Sequence, residues 1–209
     1  MIESFSIATA HLYHDAFASQ ARLRHDVFVV RRGLDHSSYD GLEFDEFDTP
    51  AAKYLVWRDE ARVVRGLARL LPTIRPYMLQ TYWPHLVANG RPPSSAGILE
   101  VTRVCVDKSV EPSARRKIFP ELLCAIQEEL RTVGGIGMVG VTREHLLSHF
   151  IRDGIEWLGP ADQVEGEIER AFFVPTAFIR PEHHCMKYDI GPHVLTRPSH
   201  IASYAPRAA

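Results

Sequence analysis

The stretch GLEFDEFDTP, residues 41–50, places four acidic side chains among two phenylalanines. In an extended segment Glu43 and Asp45 point to the same side, and Asp48 joins them if the chain bends before the Thr-Pro pair. Carboxylates gathered at one point repel each other and need cations to hold them. A charge run is usually a solvated loop, but the phenylalanines should draw this one onto the core. We therefore expect Glu43, Asp45 and Asp48 to hold a cationic group, and Glu46 to face water.

Three arginines are available as partners for these acids. Arg24 lies in the first predicted helix, Arg69 in a predicted hairpin, and Arg103 in the apolar stretch ILEVTRV together with Glu100. Charged residues are uncommon inside such strands unless they have partners. Glu100 and Arg103 have opposite parity, so only a bulge between them would bring both to one side of the sheet. The alternative is an edge strand with outward charges, and we prefer the functional interpretation.

A third charged group is formed by Arg115, Arg116 and Lys117 in the sequence SARRK. Three cations beside the free N–H groups of a helix start suit a phosphate or a phosphopantetheine arm. Basic residues near helix starts are also common as solvated side chains, so the pattern alone is weak evidence.

Other patterns predict no further site. The GGIG at 134–137 follows a helix and precedes a strand, the reverse of the order that a dinucleotide-binding loop requires. His183, His184 and Cys185 are adjacent but lack a second ligand pair at suitable spacing, so we predict no metal site.

The composition favours one globular domain over 1–209, with 45% hydrophobic and 24% charged residues. A net charge of -2 predicts no nucleic-acid partner. Three widely spaced cysteines and a start without a basic and apolar leader favour a cytoplasmic protein. We also expect no membrane span, because no apolar run approaches the ~20 residues that one needs.

Periodicity and turn residues predict the elements that must position these groups. In order, they are a helix over 11–30, a hairpin with strands in 53–59 and 61–73, a strand over 97–107, a helix starting near 119, a strand over 136–141, a helix over 142–154 capped by Thr142, and a strand over 169–176. Pro120 fits only in a first turn, which places the basic group at or before that helix start. This order predicts a single-domain α/β/α sandwich around a mixed sheet.

The segments RLRHDVFVVRRG, GLEFDEFDTPAAKYLVWRDEARVVRGLARLLPTIRPYML and ILEVTRVCVD resemble the acyl-homoserine lactone synthases, the autoinducer synthases of bacterial quorum sensing. The resemblance is closest over 21–107, continues more loosely to about Phe178, and offers no counterpart for the tail 191–209. It implies an N-acetyltransferase-like (GNAT-like) fold with a mainly antiparallel, twisted sheet. The family's shared positions fall on Arg24, Phe28, Asp45, Asp48, Arg69, Glu100 and Arg103, with Glu43 as an addition.

The resemblance also implies a reaction. An acyltransferase would join an acyl thioester to the α-amine of S-adenosylmethionine, close a lactone and release methylthioadenosine, with no cofactor beyond S-adenosylmethionine as substrate. Glu100 would be the base, assisted by Arg103, Asp45, Asp48 and Arg69. The same Asp45, Asp48 and Arg103, with Arg24, Phe28 and Glu43, would bind S-adenosylmethionine.

The acyl donor implied by the resemblance is acyl carrier protein or acyl-CoA. Docking would use Arg115, Arg116 and Lys117, and a wider basic patch would add Arg143, Arg152 and Arg180. Val139 stands where synthases of 3-oxo products often carry Thr and is expected in the acyl pocket, and Leu34 replaces a family Trp.

Two other functions are compatible with such a fold. One is an acyl-CoA-dependent N-acyltransferase of the GNAT fold acting on another amine, although DKSVEPSARR lacks the glycines of that fold's R/Q-x-x-G-x-G/A loop. The other is a catalytically silent binding protein, which would be expected to lack Glu100 or the aspartates.

Overall fold

The computed structural model describes residues 1–151, 153–191 and 193–197. The strands are β1 Ile2–Ser6, β2 Ser38–Tyr39, β3 Leu42–Glu43, β4 Lys53–Arg58, β5 Val64–Pro72, β6 Ile98–Val106, β7 Gly137–Thr142, β8 Glu156–Trp157, β9 Asp162–Val164, β10 Glu167–Pro175 and β11 Leu195–Thr196. The α-helices are α1 His14–Arg24, α2 Met78–Tyr82, α3 Pro112–Thr132, α4 Glu144–Phe150 and α5 Pro181–Tyr188. The predicted patch member Arg152 and tail residues 192 and 198–209 lie outside the described residues.

Nine strands form one sheet in the order β11-β1-β4-β5-β6-β7-β10-β8, with β9 paired to β10. Neighbouring strands run antiparallel except for β1 with β11 and β6 with β7. Alternation of side chains along the strands sends one set of apolar residues toward α1 and the other toward α3. The predicted α/β/α sandwich around a mixed, mainly antiparallel sheet is confirmed.

The predicted hairpin is β4 and β5, whose turn is held by Asp59. Its backbone N–H donates to the carbonyl of Val63, and its carboxylate accepts from the N–H of the same residue at 2.9 Å. The hairpin places Tyr54 opposite Arg69 in the pairing register. Two groups of the site are thereby fixed on adjacent strands.

Helix boundaries differ from the predictions in three places. The predicted helix over 11–30 is a 3-10 helix Ile7–Leu12, then α1, then a π-helix His25–Arg31, which Gly33 follows with a φ of +70°. The helix predicted over 142–154 is the shorter α4, and the residue before its first turn is Arg143 rather than Thr142.

The predicted start of α3 near Phe119 is wrong. The helix begins at Pro112, where a proline needs no N–H partner, and Glu111 caps it by accepting a bond from the Ser113 N–H. Pro120 therefore lies inside the helix and is itself buried. Interior proline costs about 3 kcal/mol; burial of the apolar face that includes Ile118 and Leu122 offsets this cost.

Strand β6 joins β7 through three residue pairs, Ile98 with Gly137, Leu99 with Met138 and Glu100 with Val139. Beyond Glu100 the register of β6 shifts against β5, where Arg69 pairs with Thr102 but Leu67 pairs with Cys105. The paired stretch of β6 and β7 therefore ends next to Glu100, in the middle of the sheet.

None of the helices in the described part of the chain is both long and apolar enough to cross a membrane.

Candidate active site

Arg24 ends α1 with its side chain fully enclosed. Its Nε bonds to Glu43, Nη1 donates to Asp48 Oδ1 at 2.8 Å, and Nη2 donates to Asp45 Oδ2 at 3.4 Å. A buried guanidinium is stable only where acids neutralise it and accept its hydrogen bonds. One cation thus contacts all three acids that the sequence singled out.

The acidic segment is a turn that folds back on itself. The Asp45 N–H donates to Asp48 Oδ2 at 2.8 Å, and the Phe47 N–H donates to Asp45 Oδ1 at 3.0 Å. Phe47 is buried in the core, while Phe44 packs its ring 5.7 Å from that of Phe17. The phenylalanines anchor the segment as expected, and Glu46 is exposed with a bond from the Tyr82 hydroxyl.

Arg69 of β5 supplies the second enclosed guanidinium. Its Nη1 and Nη2 donate to the two oxygens of Asp45 at 2.6 and 2.9 Å, a bidentate arrangement that fixes both groups. Nη1 also donates to Asp48 Oδ1 at 2.8 Å, and the Tyr54 hydroxyl donates to the same oxygen at 2.7 Å. Sequence reasoning missed Tyr54, although the hairpin register places it opposite Arg69.

The predicted bulge in β6 is confirmed at Arg103. This residue has a φ of +51°, in the left-handed region that a non-glycine residue rarely adopts, at the shift in β6 register. The bulge directs Arg103 Nη2 to Asp45 Oδ2 at 2.8 Å and to Glu43 Oε1 at 3.1 Å. Its Nε has no hydrogen-bond partner in the described part of the chain.

Three arginines and three acids therefore form one buried, charge-balanced cluster, referred to here as the ion cluster: Arg24, Arg69, Arg103, Glu43, Asp45 and Asp48. Burial alone would raise the pKa of Glu43, but His36 and the nearby arginines lower it to about 2. Burial likewise opposes ionisation of Asp48, while bonds from Arg24 and the charge of Arg69 bring its pKa well below its ordinary value. Glu43 and Asp48 therefore stay ionised at neutral pH.

Glu100 lies outside the cluster and is almost completely buried, at 1% exposure. Its Oε2 accepts from the Met78 N–H at 2.8 Å and its Oε1 from the Leu79 N–H at 2.7 Å, which caps the start of α2. Burial raises the pKa of Glu100 to about 7, although the two backbone bonds lower it. A carboxylate with this pKa can accept a proton near neutral pH.

A second group of charges borders the cluster and was not found from the sequence. His36 Nε2 is 3.0 Å from Glu165 Oε1, and Nδ1 is 3.3 Å from Glu43 Oε1. Hydrogen bonding to Glu165 and the adjacent Glu43 raises the pKa of His36 to about 9, so it carries a positive charge at neutral pH. Because His36 and Glu165 are 129 positions apart in the sequence, no local pattern could have linked them.

Three cavities lie around these groups, and one of them shares lining residues with each of the other two. An open cleft of about 730 Å³ is lined by acids and aromatic rings, among them Glu43, Asp45, Glu46, Tyr82 and Trp83. A polar cavity of about 170 Å³ contains Glu100 and Thr102 and shares Met78, Trp83, Arg103 and Glu165 with the cleft. An apolar cavity of about 420 Å³ lies between the π-helix, β6, β7, α3 and α4.

The polar cavity is the junction of the three. Phe28, Val101 and Val141 line both the polar and the apolar cavity. A molecule with a cationic end in the cleft and an acyl chain in the apolar cavity would pass beside Glu100.

Val139 and Phe28, both predicted from the sequence to contact substrate, differ in their relation to the apolar cavity. Val139 is fully buried in the core cluster that contains Phe28, and the apolar cavity is lined instead by its neighbours Met138 and Val141 together with α3 and α4. Phe28 itself lies on the cavity wall.

The predicted docking residues lie at the end of the first turn and in the second turn of α3 rather than before the helix, because the helix starts at Pro112. Arg115 donates to the Lys108 carbonyl at 2.6 Å, and the Lys117 amine lies 3.4 Å from the Asp189 carboxylate, while Arg116 is exposed.

Within residues 1–151, 153–191 and 193–197, no group of three or more His, Cys, Asp or Glu side chains is arranged to hold a metal ion.

Comparisons with known proteins agree with this geometry. The family model described as autoinducer synthase matches residues 9–157. An acyl-homoserine-lactone synthase from Pseudomonas aeruginosa is 33% identical over 181 residues, which cover 84% of this chain and 87% of the relative.

Among solved structures, a CoA-dependent acyl-homoserine lactone synthase with SAM and isopentyl-CoA superposes with a TM-score of 0.82 at 28% identity, over 94% of this chain and 92% of that one. A putative N-acetyltransferase from Lactobacillus plantarum has a TM-score of 0.56 at 17% identity, over 84% of this chain and 98% of that one, which shows the GNAT-like fold alone. This chain belongs to the autoinducer synthase family and is an acyl-homoserine-lactone synthase.

Proposed function

We propose that the protein makes an N-acyl-L-homoserine lactone from S-adenosylmethionine and an acyl thioester, with Glu100 as the base. The observation that carries this proposal is the position of Glu100 at the junction of an acidic cleft and an apolar cavity. A single domain over 1–209, working in the cytoplasm where both substrates are made, accords with this role.

S-adenosylmethionine is expected to occupy the cleft and the polar cavity. Its sulfonium and ammonium are cations, which suits a cleft lined by Glu43, Asp45 and Glu46. Its carboxylate needs a donor, and Arg103 is the member of the ion cluster that lines both cavities and whose Nε has no partner among the described residues. Arg24, Arg69 and Asp48 position Asp45 through their hydrogen bonds with it.

Acyl transfer then requires a deprotonated amine. Glu100 takes one proton from the substrate ammonium, directly or through a water, and the amine nitrogen attacks the thioester carbon. The new amide bond forms as the carbon–sulfur bond of the thioester breaks, and the leaving thiolate takes up the second proton of the amine to become a thiol. Backbone N–H groups at the Arg103 bulge are candidate donors for the oxyanion.

Lactone closure follows within the acylated intermediate. A carboxylate oxygen attacks the γ-carbon of the methionyl group, the bond from that carbon to the sulfonium breaks, and neutral methylthioadenosine leaves. The positively charged sulfur leaves as a neutral thioether without further activation, so neither step needs a metal or redox cofactor. Arg103 aligns the attacking carboxylate.

The acyl chain would extend into the apolar cavity between β6 and β7. The similar structure with isopentyl-CoA supports a CoA thioester as donor. Acyl carrier protein is the other donor class, for which exposed Arg116, with Arg115 and Lys117 beside it, offers a basic contact on α3.

The test is a donor panel. Purified protein is incubated with S-adenosylmethionine and a series of acyl-CoA and acyl carrier protein thioesters, and methylthioadenosine and lactones are measured by mass spectrometry. We expect methylthioadenosine only with matched thioesters. Acylation of an unrelated amine without methylthioadenosine release would instead identify a general N-acyltransferase.

A further inference from the structure

Trp83 is the aromatic residue that lies where the acidic cleft meets the polar cavity. It lines both, together with Met78, Arg103 and Glu165. Trp83 is partly exposed and directly follows α2, to whose Leu79 carbonyl its N–H donates. Glu100 caps the other end of this five-residue helix, so the base and the indole are held by one short element.

Phe28, the aromatic residue predicted from sequence to pack against the substrate, is already engaged by protein cations. The Arg103 guanidinium lies 5.3 Å from the centre of its ring and the Arg32 guanidinium 5.8 Å. In the described part of the chain, no such cation–aromatic pair involves Trp83. The Phe28 ring already interacts with two positive charges, whereas the indole face has capacity for one.

The buried acids of the site already have protein cations as partners, so the positive charge of the substrate needs a further partner. The three acids of the ion cluster are matched by its three arginines, and the charge of His36 lies between Glu43 and Glu165, with Nε2 3.0 Å from the Glu165 carboxylate. The internal acids are therefore largely neutralised before substrate arrives. An aromatic face stabilises a cation without needing a further buried carboxylate, and tryptophan does so best.

We infer that Trp83 binds the sulfonium of S-adenosylmethionine by a cation–π contact and makes the site selective for this charged substrate over its neutral thioether analogue. The inference rests on the proposed function, because it takes S-adenosylmethionine as the occupant of the cleft. It assigns Trp83 to substrate binding and not to proton transfer.

The experiment compares binding of S-adenosylmethionine with that of S-adenosylhomocysteine, which has the same adenosine but an uncharged sulfur. Dissociation constants are measured by calorimetry for the wild type, Trp83→Phe, Trp83→Leu and Trp57→Leu. A cation–π contact of about 1–2 kcal/mol corresponds to about 5- to 30-fold in affinity. We expect Trp83→Leu to lose roughly this factor in the ratio of the two affinities, and Trp83→Phe to lose less.

The ratio separates charge recognition from packing, because a merely structural role for Trp83 would weaken both ligands equally. Trp57→Leu is the control, because Trp57 is also half-buried but lies on β4 and lines none of the three cavities, and it should leave the ratio unchanged. An unchanged ratio in both Trp83 variants would overturn the inference while leaving the proposed function intact. Failure of wild-type protein to bind S-adenosylmethionine at all would instead contradict the proposed function. If Trp83→Leu does not fold, Trp83→Phe decides, since a phenyl ring makes a weaker cation–π contact than an indole and should still lower the ratio.

Discussion

Replacement of Glu100 by glutamine tests the base assignment most directly. The substitution preserves shape but removes the charge and one acceptor oxygen. The wild-type carboxylate accepts from two backbone N–H groups, those of Met78 and Leu79. Glutamine can accept only one of them and turns its NH₂ toward the other, which costs about 1–3 kcal/mol.

Removal of the buried charge has the opposite effect on stability. Burial raises the pKa of Glu100 from 4.5 to about 7, equivalent to roughly 3 kcal/mol against the ionised form. An acid whose pKa is raised on folding contributes stability at low pH that is lost as the pH rises through its folded pKa. Between pH 4.5 and 8 the wild type should therefore lose about 3 kcal/mol of unfolding free energy relative to Glu100→Gln. At pH 8 the two proteins should have similar stabilities.

The activity of the wild type should rise over the pH range in which its stability falls. Wild-type kcat/KM should rise with pH around a midpoint near 7, as Glu100 ionises. Glu100→Gln should lose about 10²- to 10⁴-fold in kcat while still binding S-adenosylmethionine. Methylthioadenosine release under saturating substrate gives the rate, and urea unfolding at pH 5 and pH 8 gives the stability.

The control for this prediction is Glu129→Gln. Glu129 is equally buried, at 1% exposure, but lies on α3 and pairs with Lys53 and Arg197, away from the cavities. It should lose stability and keep its kcat. A Glu100→Gln rate within tenfold of wild type, or a flat wild-type profile from pH 6 to 8, would refute the role of Glu100 as base.

Three more substitutions test other parts of the site. Asp48→Asn should lower the unfolding free energy by about 3–5 kcal/mol in urea titrations, because Arg24 and Arg69 lose a shared buried carboxylate; a change below about 1 kcal/mol would mean that the ion cluster is solvated. Met138→Trp should shift the lactone products toward shorter acyl chains in mass spectrometry, because Met138 lines the apolar cavity; an unchanged product profile would place the chain elsewhere. The wild type, whose His36 has a pKa raised to about 9, should lose unfolding free energy as the pH rises from 6.5 through 9, and His36→Gln should lack this decline; parallel pH curves for the two proteins would contradict the ion pairs of His36.

Local sequence pattern predicted the elements in which each residue's own neighbours determine the structure. The hairpin β4–β5, the inner strands β6 and β7, and β10 all follow from apolar runs and turn residues. The bulge in β6 was predictable for a different reason: Glu100 and Arg103 could reach one side of the sheet only if the strand alternation broke between them.

Features that depend on distant contacts escaped prediction. Strand β1 is short and pairs with β4 and with β11, which comes almost 200 residues later in the chain. Pro120 sits inside α3 because packing against the sheet outweighs a local preference. His36 and Glu165 meet only because the loop before β2 and the turn after β9 face the same cleft.

The ion cluster also restricts how this sequence can change over time. Each of its acids contacts at least two of its arginines, so a single replacement leaves a buried charge without a full set of partners. Substitutions within such a network are not additive, and the loss of an acid is tolerated best when an arginine is lost with it. A descendant that abandons the chemistry should therefore lose acids and arginines in matched pairs, and an intact set of six marks a site still under selection.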